Sequence, residues 1–195
     1  MFSFFKKPKH QRIDDRIYIS RTVADNAFVA EYDKLLSENS AVFLFCFFEG
    51  TIKRLQPLLA NNNAVILNAS KLNKDFANIA WRTNIQTKQD PIFLFAEHHP
   101  HLYYEETIIN EIETLCAGNN PSIGFFTALD EPLMQQFGAQ SIIELMKKMG
   151  LKEDEAISHS MVTASVANAQ RKIAKKVTSQ INARSQEEWM QINLL

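Results

Sequence analysis

The chain has 195 residues, of which 46% are hydrophobic and 22% are charged, and its formal net charge is −1. This composition supports a hydrophobic core and excludes a disordered chain, and two cysteines are too few for a disulfide scaffold. The longest apolar run, residues 41–48, is much shorter than the about 20 residues that cross a bilayer. Because the first residues also lack the apolar length of a signal peptide, we expect a cytoplasmic protein without a transmembrane segment.

Charge is distributed unevenly along the sequence. Residues 89–146 contain nine Asp and Glu residues and no Lys or Arg. Cationic side chains are the groups that bind the phosphates of nucleic acids and nucleotides. We therefore predict that this acidic segment does not bind phosphate, and we expect no nucleic-acid partner.

The sequence predicts three parts in chain order. Residues 1–13 are basic and have no apolar period, which is typical of a flexible tail. Short runs rich in Ile, Val and Phe predict strands at residues 16–20, 41–48, 64–68, 92–96 and 122–127, with amphipathic helical patterns between them, the clearest at 102–116. Apolar strands that alternate with helices predict an α/β fold for residues 14–128, with a mostly parallel sheet covered on both faces.

The third part, residues 129–195, is predicted to be helical, with one long C-terminal helix from about residue 161 to about residue 190. Apolar side chains recur along it at spacings of three or four, and this stripe continues toward the chain end. We expect its distal half to present apolar surface to another protein or to a second copy of the chain, through Val177, Ile181, Trp189 and Ile192. The alternative is that this half folds back onto its own domain.

The densest group of chemically capable side chains is Glu97-His98-His99-Pro100-His101, at the end of a predicted strand. Ligand sites of parallel sheets collect at such ends, and imidazoles with a carboxylate can bind zinc. Neighbouring residues of an extended segment point in opposite directions, however, so four ligands cannot converge there without a turn. We predict no metal at His98, His99 and His101, and we expect a solvated loop instead.

Two further groups are interpreted as structural. The carboxylates Glu105, Glu106, Glu111 and Glu113 are expected to form the solvated face of the predicted helix 102–116. Cys46 lies within the most apolar strand and is expected to behave as a small hydrophobic residue.

Residues 122–173 contain a series of short motifs. They are Asp130-Glu131-Pro132-Leu133-Met134-Gln135-Gln136-Phe137-Gly138, then Met146-Lys147-Lys148-Met149-Gly150, then Val162-Thr163, Ala169-Gln170 and Lys172-Ile173. In this order they resemble the end of the second RecA-like motor domain of SecA, the motor ATPase of bacterial preprotein translocation, and the start of its scaffold helix. Residues 15–18, 42–51, 65–69 and 95–99 resemble earlier segments of that domain. The resemblance, over residues 14–176, implies a RecA-like fold.

The chain departs from SecA where SecA binds nucleotide. SecA has an element Q-L-R-G-R-x-G-R-Q-G whose arginines reach the phosphates, whereas residues 107–116 of this chain contain two glutamates and no arginine. The sequence also has no G-x-x-x-x-G-K-[S/T] and no G-x-G-x-x-G motif. Because loss of a cationic finger slows phosphoryl transfer by about 10³–10⁵-fold, we expect no ATPase activity, no catalytic residue and no cofactor.

These observations favour a non-catalytic SecA-like protein with a degenerate RecA-like domain. We expect it to act as a protein-binding or regulatory module related to preprotein translocation, soluble or peripheral near the translocation machinery. The alternative is an enzyme, or a protein that binds a metal or a small ligand, with a new site at the strand C-termini around His98, His99 and His101.

Overall fold

The apolar runs of the sequence form a parallel sheet in the computed structural model. The structure describes residues 10–38, 41–60, 64–72, 90–116, 119–136, 139, 142–144, 150, 152, 154–158 and 160–194. The strands are β1 Gln11–Arg12, β2 Arg16–Tyr18, β3 Val42–Cys46, β4 Ile66–Asn68, β5 Ile92–Phe95 and β6 Ser122–Ala128. Their order is β1-β6-β5-β3-β4, β2 also pairs with β6, and all these pairings are parallel. The predicted parallel α/β sheet is therefore confirmed.

Helices cover both faces of this sheet, as predicted. They are α1 Arg21–Ser37, α2 Glu49–Leu59, α3 Leu102–Leu115, α4 Pro132–Gln135, α5 Ser160–Ala174 and α6 Gln186–Leu194. The α1 and α2 helices pack on one face, where Phe28 and Leu55 are fully buried against Leu44 and Leu94 of the sheet. Cys46 belongs to this apolar layer, and burial raises the pKa of its thiol well above the usual value.

The opposite face carries stacked phenylalanine rings. Phe95 stacks on Phe125 with ring centroids 4.7 Å apart, and it also stacks on Phe45 and Phe47 at 5.3 and 5.4 Å. Such aromatic pairs add about 0.5–1.5 kcal/mol each to the free energy of burial. Buried residues of α3, α5 and α6 complete this layer, so the helices after β5 share one core with the sheet.

The N-terminal boundary differs from the prediction. Gln11 and Arg12 form β1 and pair with Ser122 and Ile123 of β6, so the predicted flexible tail does not extend to residue 13. The Ile13 N–H continues this pairing by donating to the Ile123 carbonyl at 2.8 Å. A strand of two residues is too short to give the alternating pattern that would have predicted it. The rest of the predicted tail, residues 1–9, lies outside the described residues.

The prediction of one long C-terminal helix is wrong. Residues 175–185 are not helical, and they separate α5 from α6. The Asn193 side chain pairs with both the N–H and the carbonyl of Ile181, which gives the backbone a partner outside a helix. The Ser185 hydroxyl accepts the Glu188 N–H at 3.1 Å and so caps a new helix start.

Because of this break, the last residues of the chain pack against their own domain. Val177 and Trp189 are buried, with exposed fractions of 3% and 1%, so the expectation that both face a partner is wrong. Ile181 and Ile192 remain exposed, at 59% and 41%. In the part of the chain that the structure describes, no helix is long and apolar enough to cross a membrane.

Candidate functional site

The loop after β5 lies at the C-terminal edge of the sheet and is buried. Glu97, His98 and His99 have exposed fractions of 4%, 1% and 4%. The prediction of a solvated loop is therefore wrong. Gln170 of α5 and Gln186 of α6 donate to the carbonyls of His99 and His98, at 2.7 and 3.0 Å, because the C-terminal helices fold over this loop.

Glu97 is held by donors from the neighbouring strand end. One carboxylate oxygen accepts the N–H groups of Phe47 and Phe48, both at 3.0 Å, and the other accepts the Thr51 hydroxyl at 2.6 Å. Burial nevertheless raises the pKa of Glu97 to about 7, because these hydrogen bonds compensate only part of the lost hydration. Glu97 therefore titrates near neutral pH.

A second buried carboxyl group, Glu131, lies beside the same strand ends. It accepts the Thr127 hydroxyl at 2.6 Å, and burial together with the charge of Glu97 raises its pKa to about 8. Glu97 and Glu131 share a cavity of about 190 Å³ with Arg21 and Arg54. Each of these two buried acids is therefore more readily protonated than an exposed carboxyl group.

His98 forms the centre of a buried charged network. Its Nδ1 lies 3.0 Å from a carboxylate oxygen of Glu105, and its Nε2 lies 3.4 Å from Asp15 Oδ2. Burial opposes protonation of His98, but the charges of Glu105 and Asp15 outweigh it and raise the pKa to about 10. Burial would likewise raise the pKa of Asp15, but His98 and Arg12 lower it to about 2. His98 is thus an imidazolium between two carboxylates.

Glu105 does not lie where the sequence analysis predicts it. It was expected on a solvated helix face, but it is 3% exposed and accepts the His99 N–H and the Gln170 amide, at 3.1 and 2.9 Å. Sequence reasoning also missed Gln170. It lies four residues after Val166, on the apolar stripe of α5, and a polar residue on such a face is the signal that could have identified it.

His99 and His101 face other surroundings. His99 packs among rings that include Phe47, Tyr104 and Trp189, and burial lowers its pKa to about 3. Its Nδ1 accepts the His101 N–H at 3.0 Å, and His101 Nε2 donates to the Val177 carbonyl at 3.2 Å.

The three histidines therefore diverge. Within the described residues, no three His, Cys, Asp or Glu side chains come together as a metal site. That no metal binds at His98, His99 and His101 in the protein remains a prediction.

Comparison with known proteins gives a local similarity to SecA. No protein-family model matches the chain. It is 46% identical to the protein translocase subunit SecA of Acidithiobacillus ferrooxidans over 59 residues, which are 30% of this chain and 6% of that protein. The corresponding values for the SecA proteins of Acinetobacter baumannii and Acinetobacter baylyi are 49% over 49 residues, 25% of the chain and 5% of each relative. The match thus spans about one-twentieth of the length of these relatives, and the similarity to SecA is limited to 49–59 residues of this chain.

Proposed function

We propose that this chain is a non-catalytic module related to preprotein translocation that acts by binding a protein partner. The observation that carries the proposal is the absence of cationic side chains from the α3 helix. The resemblance to SecA implies phosphate-binding arginines in this region, whereas the helix contains none. Its Glu105 is instead committed to His98 inside the protein, at 3.0 Å.

The charges around α3 support this proposal. Glu106, Glu111 and Glu113 belong to the helix, and no cation follows until residue 147. Phosphate groups placed beside carboxylates are repelled, and cations are the groups that stabilise them. A nucleotide would therefore meet repulsion along this helix, and we propose that the chain neither binds nor hydrolyses ATP.

Equilibrium dialysis of the purified chain against labelled ATP with Mg²⁺ tests the non-catalytic part of the proposal. We expect no saturable binding and no release of phosphate. A micromolar dissociation constant would contradict this part.

The proposed partner surface is the corner formed by Ile181 and Ile192. Both side chains are largely exposed, and the Asn193 amide, next to Ile192, pairs with the Ile181 backbone. We propose that SecA of the same organism is the partner, and the local similarity to SecA, 46% identity over 59 residues, supports this choice. A second copy of the chain is the competing occupant.

Light scattering after size-exclusion chromatography, with and without purified SecA, separates the two occupants. We expect a complex with SecA that is weakened in an Ile181→Ser/Ile192→Ser variant. A Leu36→Ser variant is the matched control, because Leu36 is as exposed as Ile192 but lies on α1. If the chain forms homodimers and the double variant does not, the occupant of this corner is a second copy of the chain and not SecA. If the chain stays monomeric and forms no complex with SecA, the proposed partner is wrong.

A further inference from the structure

A cavity of about 580 Å³ lies between the N-terminal strand β1, α3 and α5. Its volume is in the range of small-molecule sites, about 300–1,000 Å³. The cavity follows α3 from Leu102 to Glu113, which at 1.5 Å per residue is about 16 Å. It is separate from the corner proposed above to bind a protein partner.

The inner wall of the cavity carries buried polar atoms that make no hydrogen bond within the described residues. Asp15 and His98 are each 1% exposed, and within the described residues neither Asp15 Oδ2 nor His98 Nε2 has a hydrogen bond, although the two atoms form an ion pair at 3.4 Å. Among the residues that the structure describes, the buried Arg12 Nε–H also has no hydrogen-bond acceptor. Buried polar groups are almost always paired, so this wall is suited to a ligand group that both donates and accepts.

The inner wall is balanced in charge, but the rim is not. Arg12 and the protonated His98 offset Asp15 and Glu105. At the rim Glu106 is exposed, while Glu113 interacts with His10. The rim therefore favours a cation and the inner wall favours a neutral polar group.

The surface between rim and inner wall is apolar. Ile109, Val166 and Ala167 line it from α3 and α5. A hydrocarbon chain is the ligand part that gains from contact with such a surface.

We propose that this cavity binds a small aliphatic ammonium compound whose other end is a hydroxyl or amide group. The ammonium lies at the Glu106 rim, the aliphatic stem contacts Ile109 and Val166, and the polar end meets Asp15 and Arg12. A hydroxyl fits the inner wall because it donates to Asp15 Oδ2 and accepts from Arg12 Nε–H.

Three probes with the same five-carbon chain test the site by calorimetric titration of the full protein chain. We use 5-aminopentan-1-ol, pentan-1-amine without the hydroxyl, and pentane-1,5-diol without the charge. The amino alcohol is expected to bind saturably and more tightly than either of the others. If the diol binds as tightly as the amino alcohol, the rim does not bind an ammonium group. If pentan-1-amine binds as tightly, the inner wall does not bind the hydroxyl group.

Variants locate the binding. Glu106→Gln is expected to weaken the amino alcohol about threefold, the range of an exposed ion pair. Glu111→Gln removes the same charge from the same helix at a position outside the cavity lining, and it should leave the affinity unchanged. Ala167→Leu places extra carbon atoms in the cavity and should abolish binding. Equal affinities for the two glutamine variants, or full binding by Ala167→Leu, would contradict the site.

Discussion

Glu97 and Glu131 are buried acids whose pKa values are raised by folding, to about 7 and about 8. A raised carboxyl pKa favours the folded state at low pH, because the protonated form is the one that burial tolerates. This stability is complete below the unfolded pKa of about 4.5 and is lost as pH rises through the folded pKa. Each pKa unit corresponds to about 1.4 kcal/mol.

We therefore predict that Glu97→Gln reduces the loss of stability between pH 5 and pH 8. The glutamine oxygen can accept the N–H groups of Phe47 and Phe48, and the Thr51 hydroxyl can rotate to accept from the new amide. Urea unfolding at pH 5, 6, 7 and 8 measures the slope, with Glu111→Gln as control. A slope identical to that of the wild type would show that Glu97 remains ionised in the folded chain.

The raised pKa of His98 predicts a second change in stability, at more alkaline pH. Its pKa is raised to about 10, so its ion pairs are complete below pH 6.5 and are lost as pH rises through about 10. We expect His98→Asn to be less stable than the wild type at pH 6, with the difference shrinking toward pH 10. Unfolding of both proteins across that range measures the difference, and a constant gap would contradict a protonated His98.

The sequence placed Glu97, His98 and His99 together at a strand end, but it could not predict their burial. Periodicity assigns faces only to regular helices and strands, and these residues lie in a loop. Their environment depends on Gln170 and Gln186, more than 70 residues later in the chain.

At the scale of elements, Gln186 connects α6 to two other segments. It donates to the His98 carbonyl at 3.0 Å and accepts the Leu133 N–H at 2.8 Å. We predict that Gln186→Ala lowers the free energy of unfolding by about 2 kcal/mol, because a buried carbonyl and a buried N–H lose their partners. Gln191→Ala, an exposed change in the same helix, should have almost no effect. Equal values from denaturant unfolding of the two variants would contradict this role.

The α3 helix and the start of α5 could be predicted because their apolar positions repeat at helical spacing. The break after α5 could not, since the apolar stripe continues through Val177 and Ile181. Two interactions that are invisible to periodicity decide it: His101 donates to the Val177 carbonyl, and Asn193 pairs with the Ile181 backbone. Tertiary contacts thus override a local helical pattern here.

For the whole molecule, the chain end belongs to the core. We predict that Trp189→Ala costs about 3–5 kcal/mol, as for other large aromatic side chains removed from a core. Removal of residues 178–195 should lower the melting temperature at least as much. Ile192→Ser, in contrast, should leave it nearly unchanged because that side chain is 41% exposed. A truncated chain that melts like the wild type would show that α6 does not stabilise the domain.

The order of the sheet has a consequence for the time course of folding. Gln11 pairs with Ser122, and the Gly50 N–H donates at 2.8 Å to the carbonyl of Arg184. Ribosomes add roughly 5–20 residues per second, so β1 waits on the order of 5–20 s for its partner strand. The Gly50 N–H, in the first turn of α2, lacks its Arg184 acceptor for a longer time still. During synthesis the phenylalanine-rich strands therefore emerge without the segments that later cover them. Folding of this domain is expected to finish only after most of the chain has left the ribosome, and chaperones have that interval in which to bind.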